Sequence, residues 1–475
     1  MDSAQIRQLL EKNLEHNPTQ DQRILLQKLS DFLFEYDEQT VFLMKGYAGT
    51  GKTTIIASLV KSLPQLRLKT VLLAPTGRAA KVMANYSGAL ASTIHRRIYK
   101  IYTQKDGYLR IILQPNMFKN TLFIVDEASM IPDYQSDAEP SLFTSRNLLQ
   151  DLMEYVDSGY RCKLLISGDT AQLPPVGIDI SPALNPEYLT SVFNAHIQMH
   201  ELKEVVRQAS DSGILYNATF LRKIMIAEAP NFPLFDTNGF SDIVNLPGTE
   251  LEEELIKAFN SHDKEGVVII CRSNKRANMF NQEIRRRILF QDNEIAAGDY
   301  LMIVRNNYYW LPKDSEAGFF ANGDLVEITR IRKYEELYDC RFADVSLRLV
   351  DYPNEKEIEV KILLDTLSVE TPSFPWEKFK TLYQEVMKDY EDLPKKERLD
   401  KTRNNPYYQA LQVKFAYSLT CHKTQGGQWN TVFIDAGYFT QEMLDREYLR
   451  WLYTALTRAR ANVYLIAFPE FFFQP

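Results

Sequence analysis

The sequence predicts an α/β protein built on parallel sheets, and three observations predict it. An apolar, β-branched run, Thr40-Val-Phe-Leu-Met44, leads into Gly46-Tyr-Ala-Gly-Thr-Gly-Lys52-Thr53-Thr54, and a stretch free of Gly and Pro follows over 53–61. That order reads as strand, glycine-rich loop and helix. Further apolar runs, Thr70–Ala74, Thr121–Val125 and Arg161–Ser167, alternate with helix-patterned segments and end in polar loops. Strands alternating with helices give a parallel sheet whose loops collect along one edge. The 475 residues are 45% hydrophobic and 25% charged, ordinary for a globular chain of about three domains.

The first loop fits the pattern G-x-x-x-x-G-K-[ST]. Its backbone N–H groups and the positive helix end suit a triphosphate, which assigns nucleotide contacts to Gly46, Ala48, Gly49, Thr50, Gly51, Lys52, Thr53 and Thr54. Lys52 bridges the terminal phosphates and the Thr53 hydroxyl holds Mg²⁺. The Thr70–Ala74 strand enters Pro75-Thr76-Gly-Arg78-Ala-Ala-Lys81. The Thr121–Val125 strand ends in Asp126 and Glu127. Adjacent residues at a strand end point apart, so one carboxylate can serve the metal and its neighbour the attacking water. Asp126 is assigned to Mg²⁺ and Glu127 to the general base. The Arg161–Ser167 strand enters Gly168-Asp169-Thr-Ala-Gln172-Leu-Pro-Pro-Val176, where Gln172 can sense the γ-phosphate.

Other classes are disfavoured. The N-terminus has no basic stretch followed by an apolar core, so no signal peptide is expected, and no apolar run reaches the roughly 18 residues of a membrane span. Four scattered cysteines without a C-x-x-C pair fit reduced thiols in a cytoplasmic protein and argue against zinc. His196 and His200 stand four apart, the spacing of one helix face, with no third ligand nearby. The net charge of −7 is not that of a protein that coats nucleic acid; a short groove needs only local positive charge.

In order along the chain, Gly46–Thr54, Ala74–Lys81, Ser92-Thr-Ile-His-Arg96, Val125–Ser129, Gly168–Val176, Leu202–Gln208, Ala416–Gly426 and Leu452–Ala459 resemble the motif series of superfamily 1 helicases, and within them the RecD/Dda-like branch of superfamily 1B. The stretch Thr420-Cys-His422-Lys423-Thr-Gln425-Gly426 is similar to that family's T-x-H-K-x-Q-G pattern. Pro18-Thr-Gln-Asp-Gln22 resembles its adenine-reading segment. The resemblance spans about residues 18 to 466 and implies two RecA-like domains, ATP with Mg²⁺ as cofactors, and 5′→3′ movement on single-stranded DNA. It further implies that Gln22 contacts the base, that Gln425 and Gly426 border the nucleotide, and that Arg207 and Arg458 are arginine fingers. The DNA contacts it implies are Thr76, Thr93, His95, Thr420, His422 and Lys423. A Glu common in the family two residues after Gly426 is Gln428 here, which changes the group offered to the ribose.

The first RecA-like domain is expected over 1–200 and the second over 201–320 and 413–475. Within the first, 97–115 reads as a β-hairpin turning at Asp106-Gly107. In the family a hairpin here splits duplexes, which would let Tyr108 stack on the last base pair. The insertion 321–412 begins strand-like, fitting the family's SH3-like barrel, and continues as a charged, aromatic, helix-patterned segment, 375–408. That segment can clamp DNA, dock a protein partner or cover apolar surface. No acidic cluster marks a nuclease. The favoured reading is a monomeric helicase acting at single-strand/duplex junctions in repair, recombination or replication. The alternative is an ATP-dependent switch that grips single strands without opening duplexes.

Overall fold

The computed structural model describes the chain except residues 36–39, 104–108, 134–145, 207–210, 227–231, 262–263, 313–314, 316 and 474–475. The first sheet takes β1 (Thr40–Gly46), β2 (Lys69–Ala74) and β3 (Ala91–Thr93). A two-stranded hairpin, β4 (Tyr99–Thr103) and β5 (Leu109–Leu113), then leaves it, and β6 (Lys119–Val125), β7 (Tyr160–Gly168) and β8 (His196–Leu202) complete it. Its order is β3-β2-β6-β7-β1-β8, parallel throughout. Successive side chains of a strand point to opposite faces. Phe42 and Met44 accordingly pack with Leu25, Leu29, Ile55 and Leu59, while Val41 and Leu43 pack with Leu149 and Leu152 on the other side. Helices cover both faces, which is why β1 is a continuous apolar run.

His196 and His200 lie on β8, not on a helix. The four-residue spacing fitted a helix face, but pairing with β1 holds this segment extended, and His200 Nε2 sits 2.7 Å from Asp21 Oδ1. The hairpin pairs Tyr99 with Leu113 and Thr103 with Leu109. Its base is anchored by Tyr99, whose hydroxyl donates to Asp151 Oδ2 at 2.6 Å.

The second sheet is β9 (Ile243–Leu246), β10 (Val267–Cys271), β16 (Ser418–Thr420), β17 (Trp429–Asp435) and β18 (Ala459–Ile466), again parallel, in the order β16-β10-β17-β18-β9. Between β10 and β16 the chain builds a closed barrel of β11 (Tyr300–Ile303), β12 (Leu325–Leu337), β13 (Cys340–Leu349), β14 (Ile358–Leu363) and β15 (Leu411–Phe415). The barrel opens upstream of the expected residue 321, because the short run Tyr300–Ile303 pairs with both β12 and β15. Its core is continuous with one face of the second sheet, where Val326, Leu347 and Val413 join Val267 and Ile269. The Trp376–Lys388 helix covers the barrel with Phe379, Leu382 and Val386, while the Lys395–Arg403 helix buries only Thr402.

Candidate active site

The C-terminal ends of β1, β6 and β7 face the second sheet across a cleft of about 540 Å³, a volume in the range of small-molecule sites. Gly51 caps the Lys52–Ser62 helix without a side chain, so the first-turn N–H groups stay available for an anion. Gly49 and Gly51 have φ of +77° and +86°, which side chains disfavour. A Cβ on Gly51 would also stand 2.4 Å from Gln22 Nε2. Lys52 Nζ donates to the carbonyls of Gly46 and Tyr47.

Ala48, Gly49, Gly51, Lys52, Thr53, Thr54, Asp126, Glu127, Gln172, Gly426 and Arg458 all border this cleft. Gly46 and Thr50 do not border it; Thr50 Oγ1 donates to the Tyr47 carbonyl at 2.7 Å. Gln22 and Gln425 do not border it either. Gln22 is fully buried; its Nε2 donates to the Thr50 carbonyl at 3.1 Å and its Oε1 accepts from the Thr19 N–H. Gln425 Nε2 donates to the Leu173 carbonyl at 2.7 Å. Both amides brace loops that border the cleft. His16, which the sequence did not single out, does border it. Arg207 lies outside the described residues, although Val206 just before it donates its N–H to Gly49 O at 3.1 Å.

Asp126, Glu127 and Arg458 bring their charges to one cleft. Asp126 Oδ2 accepts from the Tyr86 hydroxyl at 2.8 Å. Burial, reinforced by the Asp126 charge, raises the Tyr86 pKa well above its ordinary value. Glu127 has φ +55°, a left-handed conformation that is uncommon for a residue with a side chain. Burial raises its carboxyl pKa against the opposing pull of Arg458, with Asp126 adding to the rise. Arg458, 3% exposed, comes from the helix Arg446–Leu456 and its following turn. It donates to the Thr454 and Gly427 carbonyls, and Nη1 stands 3.8 Å from Glu127 Oε1. Gln428 Oε1 accepts from Arg460 Nε at 2.9 Å.

The residues assigned to DNA sit at the C-terminal ends of β2, β3 and β16. Thr76 and Thr93 cap the helices that follow, accepting from the Ala79 and Arg96 N–H groups at 3.2 Å. Thr420 precedes the short Cys421–Thr424 helix. Burial pushes His95 down to about 4 and lowers His422, so His95 is neutral at physiological pH. Lys423 is pushed down to about 7 by burial and by neighbouring Lys414, and its Nζ donates to the Pro372 carbonyl. Tyr108 lies outside the described residues. A second hollow, about 740 Å³, lies between Leu173–Ile180 and the side chains of His422, Arg446, Glu447 and Arg450. The barrel reaches across to the first domain, where Lys81 Nζ is 3.1 Å from Asp351 Oδ1, and the second sheet does so through Trp429 of β17, whose ring lies 4.9 Å below Arg78.

Two parallel sheets that close over one phosphate loop, with an arginine from the second facing a glutamate of the first, define a nucleotide-binding protein of two RecA-like domains. A family model described as an AAA domain matches residues 20–229, and one described as a UvrD-like helicase C-terminal domain matches 415–466. The chain is 24% identical to an uncharacterized protein of Acanthamoeba polyphaga mimivirus, over 92% of this chain and 97% of that protein. It is 28% identical to the ATP-dependent RecD2 DNA helicase of Deinococcus radiodurans, over 45% of this chain and 26% of that one. It is 26% identical to the ATP-dependent DNA helicase dda of an enterobacteria phage, over 60% of this chain and 62% of that one. The matches thus span less than two thirds of each of these two helicases. By these matches the chain is similar to superfamily 1B helicases of the RecD/Dda type.

Proposed function

We propose that this chain is an ATP-driven DNA helicase that moves 5′→3′ along one strand and opens duplexes at single-strand/duplex junctions. The observation that carries the reading is the cleft itself. Lys52, Thr53, Asp126 and Glu127 come from one sheet and Gly426 and Arg458 from the other, so closing and opening of the domains assembles and dismantles the hydrolysis site. The proposed working unit is a monomer.

The Thr53 hydroxyl and the Asp126 carboxylate are hard oxygen donors beside the phosphate loop and fit Mg²⁺. When bound, the ion neutralises charge on the phosphate oxygens. Lys52 exchanges the Gly46 and Tyr47 carbonyls for the terminal phosphates. Glu127, its carboxyl raised by burial, accepts a proton from the attacking water. Arg458 brings positive charge to the γ-oxygens as they separate, and Arg207 is proposed as a second such cation. Gln172 turns toward the same space and senses the γ-phosphate. Thr76, Thr93, Thr420, His422 and Lys423 contact the DNA backbone along the shared edge of the two sheets, with His95 contributing as a neutral ring. The β4–β5 hairpin is proposed as the wedge, Tyr108 as the residue that stacks on the last base pair, and the polar Lys395–Arg403 helix remains open for DNA or a protein partner.

The test is strand separation on partial duplexes with a 5′ or a 3′ tail, with Lys52→Ala as control. ATP-dependent opening of the 5′-tailed duplex alone is expected. Opening from the 3′ tail overturns the polarity. DNA-stimulated hydrolysis without opening from either tail supports the binding switch instead.

A further inference from the structure

Tyr453 lies on the second domain's Arg446–Leu456 helix, five residues before Arg458, and is 1% exposed. Its hydroxyl leaves that domain altogether. The O–H donates to Asp169 Oδ2 at 2.6 Å, and the same oxygen accepts the Ala48 N–H at 2.9 Å. Ala48 belongs to the phosphate loop. Asp169 opens the turn that carries Gln172, and its other carboxylate oxygen accepts the Ala171 N–H at 2.9 Å. One phenol oxygen therefore joins the phosphate loop, the Gln172 turn and the helix that delivers Arg458.

Two neighbours fix the same junction. Thr454 Oγ1 accepts the Leu173 N–H at 3.0 Å, and Gln425 Nε2 donates to the Leu173 carbonyl. The residue after Gln172 is thus gripped by the second domain through both its backbone groups. Burial, helped by the charge of Asp169, keeps the Tyr453 hydroxyl protonated, so it can donate and accept at once.

We propose that Tyr453 is a positioning residue that sets the register of Arg458 and Gln172 against the phosphate loop, so that hydrolysis responds to DNA held by the second domain. The assignment rests on the helicase reading above. The helix that delivers Arg458 is referenced to the phosphate loop through the Tyr453 hydroxyl. Removing this oxygen leaves the ring packed and the helix intact but frees the helix to shift by the fraction of an ångström that misplaces a charge in the transition state.

The experiment measures ATP hydrolysis with and without single-stranded DNA, together with nucleotide affinity, for the full chain, Tyr453→Phe, Asp169→Asn and the double variant. Tyr453→Phe is expected to hold ATP within about twofold of the parent, to lose about tenfold or more in kcat, and to lose most of its DNA stimulation. Asp169→Asn is expected to show the same pattern, and the double variant to fall little below either single one, because both act through one contact. A Tyr453→Phe protein with parental kcat and stimulation overturns the proposal. So does one whose ATP affinity falls as far as its kcat, or a double variant whose losses simply multiply. If the parent chain shows no DNA-stimulated hydrolysis, the helicase reading fails with it; a stimulated parent with an indifferent Tyr453→Phe removes Tyr453 alone. Should Tyr453→Phe not fold, Asp169→Asn decides on the same criteria.

Discussion

Removal of the Arg458 guanidinium is expected to separate catalysis from binding. The side chain is 3% exposed and bonded to Thr454, Gly427 and Thr457 of its own domain, with Glu127 its ionic neighbour at 3.8 Å. None of those contacts holds the phosphate loop, so Arg458→Ala is expected to change nucleotide affinity by no more than about threefold. Loss of a transition-state cation costs roughly 10³–10⁵ in rate, or about 4–7 kcal/mol. A second effect has a definite sign. Arg458 favours the ionised form of Glu127, and at an effective dielectric near 20 two charges about 4 Å apart attract by about 4 kcal/mol before desolvation is counted. Without that attraction the Glu127 carboxyl rises further, so the acid limb of the residual pH–rate profile moves to higher pH. Arg458→Lys keeps the charge and is expected to leave the limb near its parental position while kcat still falls. The assay is steady-state hydrolysis with saturating single-stranded DNA from pH 5 to 9, alongside equilibrium binding of a fluorescent nucleotide. An Arg458→Ala protein turning over within about tenfold of the parent would refute the reasoning.

Gly426 has φ +73°, and a Cβ there would stand 2.6 Å from Ala79 Cβ across the cleft; Gly426→Ala is expected to hold the domains apart and raise the KM for ATP by about tenfold or more, whereas an unchanged KM would show that closure does not pass through this contact. Lys423, pushed down to about 7 in the free protein, is expected to regain its proton beside a DNA phosphate, so affinity for single strands falls as pH rises from 7 to 9. Calorimetry in buffers of different ionisation enthalpy would read that proton uptake, and its absence in the parent would remove Lys423 from the contact. Arg285 and Asp299, 2% and 1% exposed, form a two-pronged pair at 3.0 and 2.9 Å that Tyr417 and the Ala296 N–H complete. Arg285→Ala is expected to cost about 3–5 kcal/mol in urea unfolding and the double change Arg285→Met/Asp299→Leu clearly less; equal costs would mean that the pair, not the stranded charge, supplies the stability.

What the sequence discloses of this molecule is what local chemistry encodes. The run Thr40–Met44 is apolar on both faces because helices cover both sides of the sheet, and a glycine pattern beside it announces a phosphate loop. Asp126, Glu127 and Gln172 are legible because each follows an apolar strand that ends in a polar loop, while Arg458 is legible only through the resemblance of Leu452–Ala459 to a helicase motif. The partners of these groups are not legible. Tyr86 meets Asp126 across 40 residues and Tyr453 meets Asp169 across 284, and nothing near either tyrosine distinguishes it from one that fills a core. Gln22 and Gln425 are recognisable as motif positions, yet their amides turn to the Thr50 and Leu173 carbonyls, a choice made by tertiary packing. Tyr300–Ile303 is too short to show a period, so the start of the barrel emerges only once β12 and β15 are there to pair with it.

The insertion of the barrel between neighbouring strands also imposes a timetable on synthesis. The first sheet has all its strands once residue 202 is made, and the barrel closes at residue 415. β10, made by residue 271, has to wait for β16 and β17 at 418–435, with the barrel's strands emerging in between. Domains tend to fold as they leave the ribosome, and long-range pairing is slow. A growing chain therefore carries a finished phosphate loop and a finished barrel while Val268 and Ile270 still lack their partners, and Arg458 follows both the loop and Glu127 in the chain. The exposed edge of β10 is where an arrested or truncated chain would aggregate first.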